Sequence, residues 1–149
     1  MAEVRGLSAS AAQRRAYFHL QMAAARLRAI ADERCLAAVG VTAAQAAVLF
    51  VIDRTAGTSQ RAVAETLRQR ESAITAMVGR LTRAGLVERS PNLSDGRAWE
   101  LYLTVDGRRA LERIEVELAK LNEQMDRAVG ADHVHRFVDD LEALAALET

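Results

Sequence analysis

Residues 72–104, SAITAMVGRLTRAGLVERSPNLSDGRAWELYLT, change hydrophobic period partway along, and that change decides the fold. In the first half Ile74, Met77, Val78 and Leu81 recur at helical spacing and cluster on one face. Gly85 follows as a left-handed helix stop. From Leu86 the period is two. LVERS reads as one strand and WELYLT as its partner, with Trp99, Leu101 and Leu103 pointing one way and Ala98, Glu100 and Tyr102 the other. The polar run between them holds the chain's only proline, and Asp95-Gly96 is a turn signal. A helix therefore runs straight into a single β-hairpin.

Upstream, Ser59 is placed to cap a short helix, SQRAVAETL, whose Ala62, Val63 and Leu67 face inward. A polar turn, RQRE, joins it to the helix above. VTAAQAAVLFVID opens with a capping box, Thr42 and Gln45. Residues 9–38 read as one long alanine-rich helix, with Tyr17, Leu20, Ala24, Leu27 and Ala31 at helical spacing and Gly40 ending it. Downstream, Thr104 caps a charged amphipathic helix over 105–128, with Asp106 in its first turn. Gly130 breaks it, and residues 131–147 form a last helix carrying Val134, Phe137, Val138, Leu141 and Leu144. A helix pair joined by a tight turn and followed by a two-stranded wing is a winged helix-turn-helix. The expected class is mainly α. The predicted divisions are an N-terminal helix at 1–40, the winged unit at 41–104 and C-terminal helices at 105–149.

The chain has 149 residues, half of them hydrophobic, which suits one domain or one compact subunit. Aromatics are only 4% and alanine supplies much of the apolar half, so the terminal helices have too little to bury against in one chain. They call for a partner chain. No run of 18 apolar residues exists, the N-terminus lacks a secretory pattern, and the single cysteine, Cys35, cannot form an internal disulfide. A cytoplasmic protein without membrane contact is expected. Net charge is zero, but residues 54–97 carry eight arginines against four acids, while 98–149 carry a net −6. A basic middle can present a positive face. Only one of the 20 basic residues is lysine, which fits either phosphate recognition by arginine forks or genome composition.

On the helix from Ser72, the face opposite the apolar stripe carries Ser72, Ala76, Gly79 and Arg83, flanked by Thr75 and Arg80. Small residues let a helix backbone enter a major groove, and hydroxyls and arginines reach phosphates and base edges. An ordinary solvated face is the bland reading. Gly79 argues against it, since an exposed mid-helix glycine costs roughly 1 kcal/mol relative to alanine.

The stretch from Val41 to Leu111 resembles the MarR family (multiple-antibiotic-resistance regulators). The residues that carry the resemblance are Thr42 and Gln45; Ser59 and Gln60; Leu81, Gly85, Leu86, Val87 and Arg89; Asp95 and Arg97; and Leu103, Thr104 and Gly107. Two departures stand out. Asn92 occupies the place of the pattern's first wing aspartate, which is expected to loosen the wing's internal pairing. Ala73 and Ala76 stand where members often carry larger polar or basic residues, so the base preference cannot be read. The resemblance implies a homodimer in which the terminal helices of two chains interlock. Its two recognition helices would enter successive major grooves of a near-palindromic double-stranded operator, about 34–36 Å apart. The wings would reach the minor grooves, with Arg97 as the inserted cation and Asp95 bracing it, while Trp99, Leu101 and Leu103 hold the wing to the domain. The implied DNA-binding set is Ser59, Gln60, Arg70, Ser72, Thr75, Ala76, Gly79, Arg80, Arg83, Asp95 and Arg97. Repression is the family's commoner mode.

Members often release DNA when a small aromatic or phenolic acid binds between the dimer helices and the winged unit. Tyr17, Phe18, His19, Met22 and Arg26 could line such a pocket or simply pack a dimer interface. Others respond to thiol oxidation. Arg34 could activate Cys35, but a buried, inert cysteine is the preferred reading. His133 and His135 are two apart and make a poor metal pair. No phosphate loop, metal cluster or nucleophile–base set is apparent, so no catalytic residue, metal or cofactor is expected and the chain reads as a non-enzyme. A winged helix used for protein–protein contact is the remaining alternative, and the basic middle segment argues against it.

Overall fold

A computed structural model describes residues 2–96 and 98–147. The order is α1 (Ala2–Val39), α2 (Ala43–Arg54), α3 (Gln60–Leu67), α4 (Glu71–Arg83), β1 (Val87–Pro91), β2 (Trp99–Leu103), α5 (Val105–Val129), a 3-10 turn (Ala131–His133) and α6 (Val134–Ala145). This is the winged helix expected. α1 starts earlier than residue 9, and α4 begins one residue before Ser72. Among the described residues no single helix is long and apolar enough to cross a membrane.

The helix starts form where short polar side chains meet orphan amides. Thr42 Oγ1 accepts from the Gln45 amide at 3.2 Å and Gln45 Oε1 accepts from the Thr42 amide at 2.9 Å, which closes the capping box. Ser59 Oγ accepts from the Ala62 amide at 3.1 Å. Thr104 Oγ1 accepts from the Gly107 amide at 2.9 Å and donates to the Gly85 carbonyl at 2.6 Å, so one hydroxyl ties the end of α4 to the start of α5. Gly85, at φ 75°, lets the Leu86 amide donate back to the Leu81 carbonyl at 3.0 Å. At the end of α3 the left-handed position is Arg68, φ 50°, the one such non-glycine among the described residues. Its guanidinium donates to the Ala145 carbonyl at the end of α6, at 3.4 Å.

The core sits in the winged unit. Val48, Leu49 and Ile52 of α2, Val63 of α3, Ile74, Val78 and Leu81 of α4, Leu101 of β2 and Ile114 of α5 are buried. Each such side chain is worth about 1.5–3 kcal/mol. The hairpin pairs Val87 with Leu103 and Pro91 with Trp99. Proline fits there because it lies at the end of an edge strand. A third segment joins the sheet: the Gly57 amide donates to the Leu101 carbonyl and the Leu101 amide to the Thr58 carbonyl, both at 2.9 Å. β2 is thus bonded on both edges, and the loop that leads into α3 is fastened to the wing.

One expectation about the wing needs correcting. Leu101 and Leu103 are buried, but Trp99 is 51% exposed. It pairs with Pro91 at the outer end of the ladder, two residues past the Thr58 bridge, where the hairpin has run beyond the core. The outer helices differ from the winged unit. No described residue of α6 is buried, and Tyr17 and Phe18 of α1 are 68% and 59% exposed.

Candidate nucleic-acid interface

α4 is two-faced. Ile74, Val78 and Leu81 are buried, with Met77 half-buried against the same core. Ser72, Thr75, Ala76, Arg80 and Arg83 are exposed on the other side, and Gly79 is partly so. A Cβ added at Gly79 would meet only the Arg83 guanidinium, at 3.6 Å. The packing therefore does not demand glycine there, and the gap it leaves faces outward.

Among the described residues the ion pairs are Arg61–Glu65, Arg109–Asp106, Lys120–Glu117 and Arg127–Glu123, and none involves Arg70, Arg80 or Arg83. Arg70 precedes α4 as its N-cap and makes no side-chain cap bond. Arg80 and Arg83 on the outer face of α4, with Arg70 just before it, have no acidic partner among the described residues and make a surface suited to anions.

The neighbouring elements bring further residues to it. Ser59, half-buried, holds the start of α3 through its hydroxyl oxygen. Gln60, the first residue of α3, accepts from Thr75 Oγ1 at 2.8 Å, so two residues fifteen apart meet across the turn. This contact has no local sequence signal. At the wing tip Asn92 Oδ1 accepts from the Ser94 amide at 2.8 Å and the Asp95 amide at 3.1 Å. The Asp95 carbonyl accepts from the Ala98 amide at 3.0 Å. Asn92 therefore organises the tip loop, because an amide oxygen accepts backbone bonds as a carboxylate does. Asp95 is exposed at this tip. Arg97, the expected minor-groove cation, lies outside the described residues.

A groove of about 710 Å³ opens where α1 and α2 pass the α3–α4 turn, lined by Leu27, Arg28, Ala31, Leu67, Gln69 and Met77 among others. Tyr17, Phe18, His19, Met22 and Arg26 do not line it. They lie nearer the start of α1, and the cavity exists only where α1 crosses the winged unit.

Cys35 is buried on α1. Burial pushes its thiol above the ordinary range, and the charges of Asp32 and Glu117 push the same way. Arg34 does not activate it: that guanidinium donates to the Glu117 carbonyl at 3.2 Å and to Gln124 Oε1 at 2.6 Å. We expect Cys35 in the native protein to react with a charged disulfide reagent roughly two orders of magnitude more slowly than in denaturant. Equal rates in a stopped-flow thiol assay would mean an accessible, activated thiol. Among the described residues no group of three or more His, Cys, Asp or Glu is placed to hold a metal ion.

Comparison with known proteins agrees with this geometry. A family model described as MarR family matches residues 39–98. No protein of curated function matches. Among solved structures, the chain is similar to the transcriptional repressor CouR bound to a 23-mer DNA duplex, at 29% identity and TM-score 0.80 over 86% of this chain and 90% of that one. It is similar to the PcaV transcriptional regulator from Streptomyces coelicolor in complex with its natural ligand, at 31% identity and TM-score 0.71 over 82% and 88%. A cysteine-to-serine mutant of MarR from E. coli complexed with operator DNA gives 27% identity and TM-score 0.77 over 84% and 89%.

Proposed function

The chain belongs to the MarR family of transcription regulators, and we propose that it acts as a homodimeric repressor that binds a near-palindromic operator and releases it on binding a small aromatic or phenolic acid. The observation that carries DNA binding is α4: a small outer face with Arg80 and Arg83, and Arg70 just before it, none with an acidic partner among the described residues, backed by a buried inner face. On this reading Ser72, Ala76, Gly79, Arg80 and Arg83 enter the major groove, Arg70 and the start of α3 hold phosphates, and the wing carries Arg97 to the minor groove. CouR and MarR have both been solved on DNA, which supports the same use here.

The case for a dimer is the outer helices. Tyr17, Phe18 and Met22 of α1 and Val138 and Leu144 of α6 are exposed apolar side chains on elements with little to pack on. A second copy covers them and sets the two recognition helices about 34–36 Å apart. The effector reading rests on the groove between α1, α2 and the α3–α4 turn. An acid seated there would touch both the dimer helices and the reading head, and PcaV holds its natural ligand in a similar fold. Arg28 offers a cation for its carboxylate.

The test is binding of the purified protein to a labelled duplex from upstream of its own gene, across a salt series, against random DNA of equal length. We expect tight, sequence-preferring binding whose log–log salt slope flattens by about one unit in Arg97→Ala. Sedimentation of the same sample is expected to show a dimer. Equal, weak binding to both duplexes together with a stable monomer at micromolar concentration would overturn the reading.

A further inference from the structure

We propose that Gln60 holds a DNA phosphate oxygen through its amide nitrogen, and that Thr75 is a positioning residue that sets this amide rather than a reader of bases. The inference rests on the DNA-binding reading above and divides the labour within it.

Thr75 Oγ1 lies 2.8 Å from Gln60 Oε1 and 3.0 Å from the Glu71 carbonyl oxygen. Both neighbours are acceptors and the hydroxyl has one proton; with that proton on the Glu71 carbonyl, two bare oxygens would face each other at 2.8 Å, so it lies between Thr75 and Gln60. The bond spans fifteen residues and closes the start of α3 against the first turns of α4. It consumes what Thr75 would need to donate to a base.

The consequence for Gln60 is a fixed orientation. With Oε1 turned to Thr75, the Nε2 group points away from the pair, and among the described residues no group accepts from it. An adenine contact of the bidentate kind needs the amide oxygen and nitrogen together on one base edge. Here the oxygen is turned inward to Thr75, so the outward edge that Gln60 presents is its Nε2 donor group. Donors recognise acceptor oxygens, which DNA carries on phosphates and on some base edges. The first helix of a helix-turn-helix crosses the backbone while the second enters the groove, which favours phosphate for a residue on α3. Phosphate contacts position a protein and carry no sequence information, so the pair would set how α4 sits in the groove.

Four single variants of the protein, Thr75→Val, Thr75→Ser, Gln60→Ala and Gln60→Glu, and the double variant Gln60→Ala/Thr75→Val test this. The probe is the duplex from upstream of the chain's own gene and a panel of its single-base-pair variants, at fixed salt. Thr75 is exposed and Gln60 half-buried on the surface, so thermal melts are expected to match the parent. Thr75→Val and Gln60→Ala are each expected to weaken binding about 5–10-fold, by the same factor on every duplex, with the double variant no worse than either. Thr75→Ser keeps a hydroxyl and is expected to bind within about twofold of the parent. Gln60→Glu sets a carboxylate against phosphate and is expected to lose at least ~50-fold. A Thr75→Val loss confined to one base pair would make Thr75 a base reader and overturn the proposal. So would additive losses in the double variant, or a Gln60→Glu protein that binds like the parent, which would mean that the amide presents its oxygen. Indifference of the parent itself to duplex sequence would instead overturn the DNA-binding reading, and this proposal with it.

Discussion

Gly79→Glu is expected to leave a folded dimer that no longer holds its operator, with affinity down at least ~100-fold. Both halves of that outcome come from one position. A Cβ at Gly79 meets only the mobile end of Arg83, at ordinary contact distance. The backbone there is regular α-helix, so a side chain adds no strain. Replacing a helical glycine gains about 0.5–1 kcal/mol in propensity. A glutamate four residues before Arg83 adds about 0.3 kcal/mol as a helix pair. The variant is therefore expected to melt at or slightly above the parent. On DNA the same side chain fills the gap on the exposed face, brings a negative charge against phosphates and diverts Arg83. Thermal unfolding, sedimentation and fluorescence anisotropy on one preparation separate the two effects. Unchanged operator affinity would mean that this face of α4 does not meet DNA.

Gly107→Ala is expected to destabilise the protein by about 3–5 kcal/mol, against a helix propensity that alone favours alanine by roughly 1 kcal/mol. The contact decides the sign. A Cβ at Gly107 would overlap the Leu86 carbonyl oxygen and lie 3.0 Å from the Leu86 carbonyl carbon. Both atoms are backbone and cannot turn aside as a side chain would. Leu86 is also held from two sides: its amide donates to the Leu81 carbonyl at 3.0 Å and its carbonyl accepts from the Thr104 amide at 3.1 Å. Making room means lifting the first turn of α5 off the start of the wing and weakening the Thr104 bonds to Gly85 and Gly107. Equilibrium denaturation measures the loss. A variant as stable as the parent would show that α5 does not approach the Leu86 backbone this closely.

The two glycines differ in how far the amino-acid sequence accounts for them. Both stand inside helices, and propensity treats them alike. Gly79 falls on a polar helical face, which follows from angular spacing alone. Gly107 appeared only as part of a family pattern. Its physical reason, which periodicity cannot supply, is the close approach of the Leu86 backbone, twenty-one residues earlier in the chain.

Features that depend on near neighbours along the chain are legible in the amino-acid order. The capping residues Thr42, Ser59 and Thr104 bond amides three residues away, so their neighbours sufficed to place them. The inner face of α4 followed from helical period, and the hairpin from period two. Tertiary structure decided whatever depends on elements distant in sequence coming together. Thr58 bonds β2 with one residue, too short to leave a pattern. Trp99 alternates correctly with Leu101 and Leu103, yet it lies past the core's edge and stays half exposed, because period two specifies a face and not how far the core extends beneath it. Gln60 meets Thr75 only because the α3–α4 turn folds one helix onto the next. Alternation and capping act over a few residues of covalent chain, whereas burial and cross-helix bonds depend on where the chain returns.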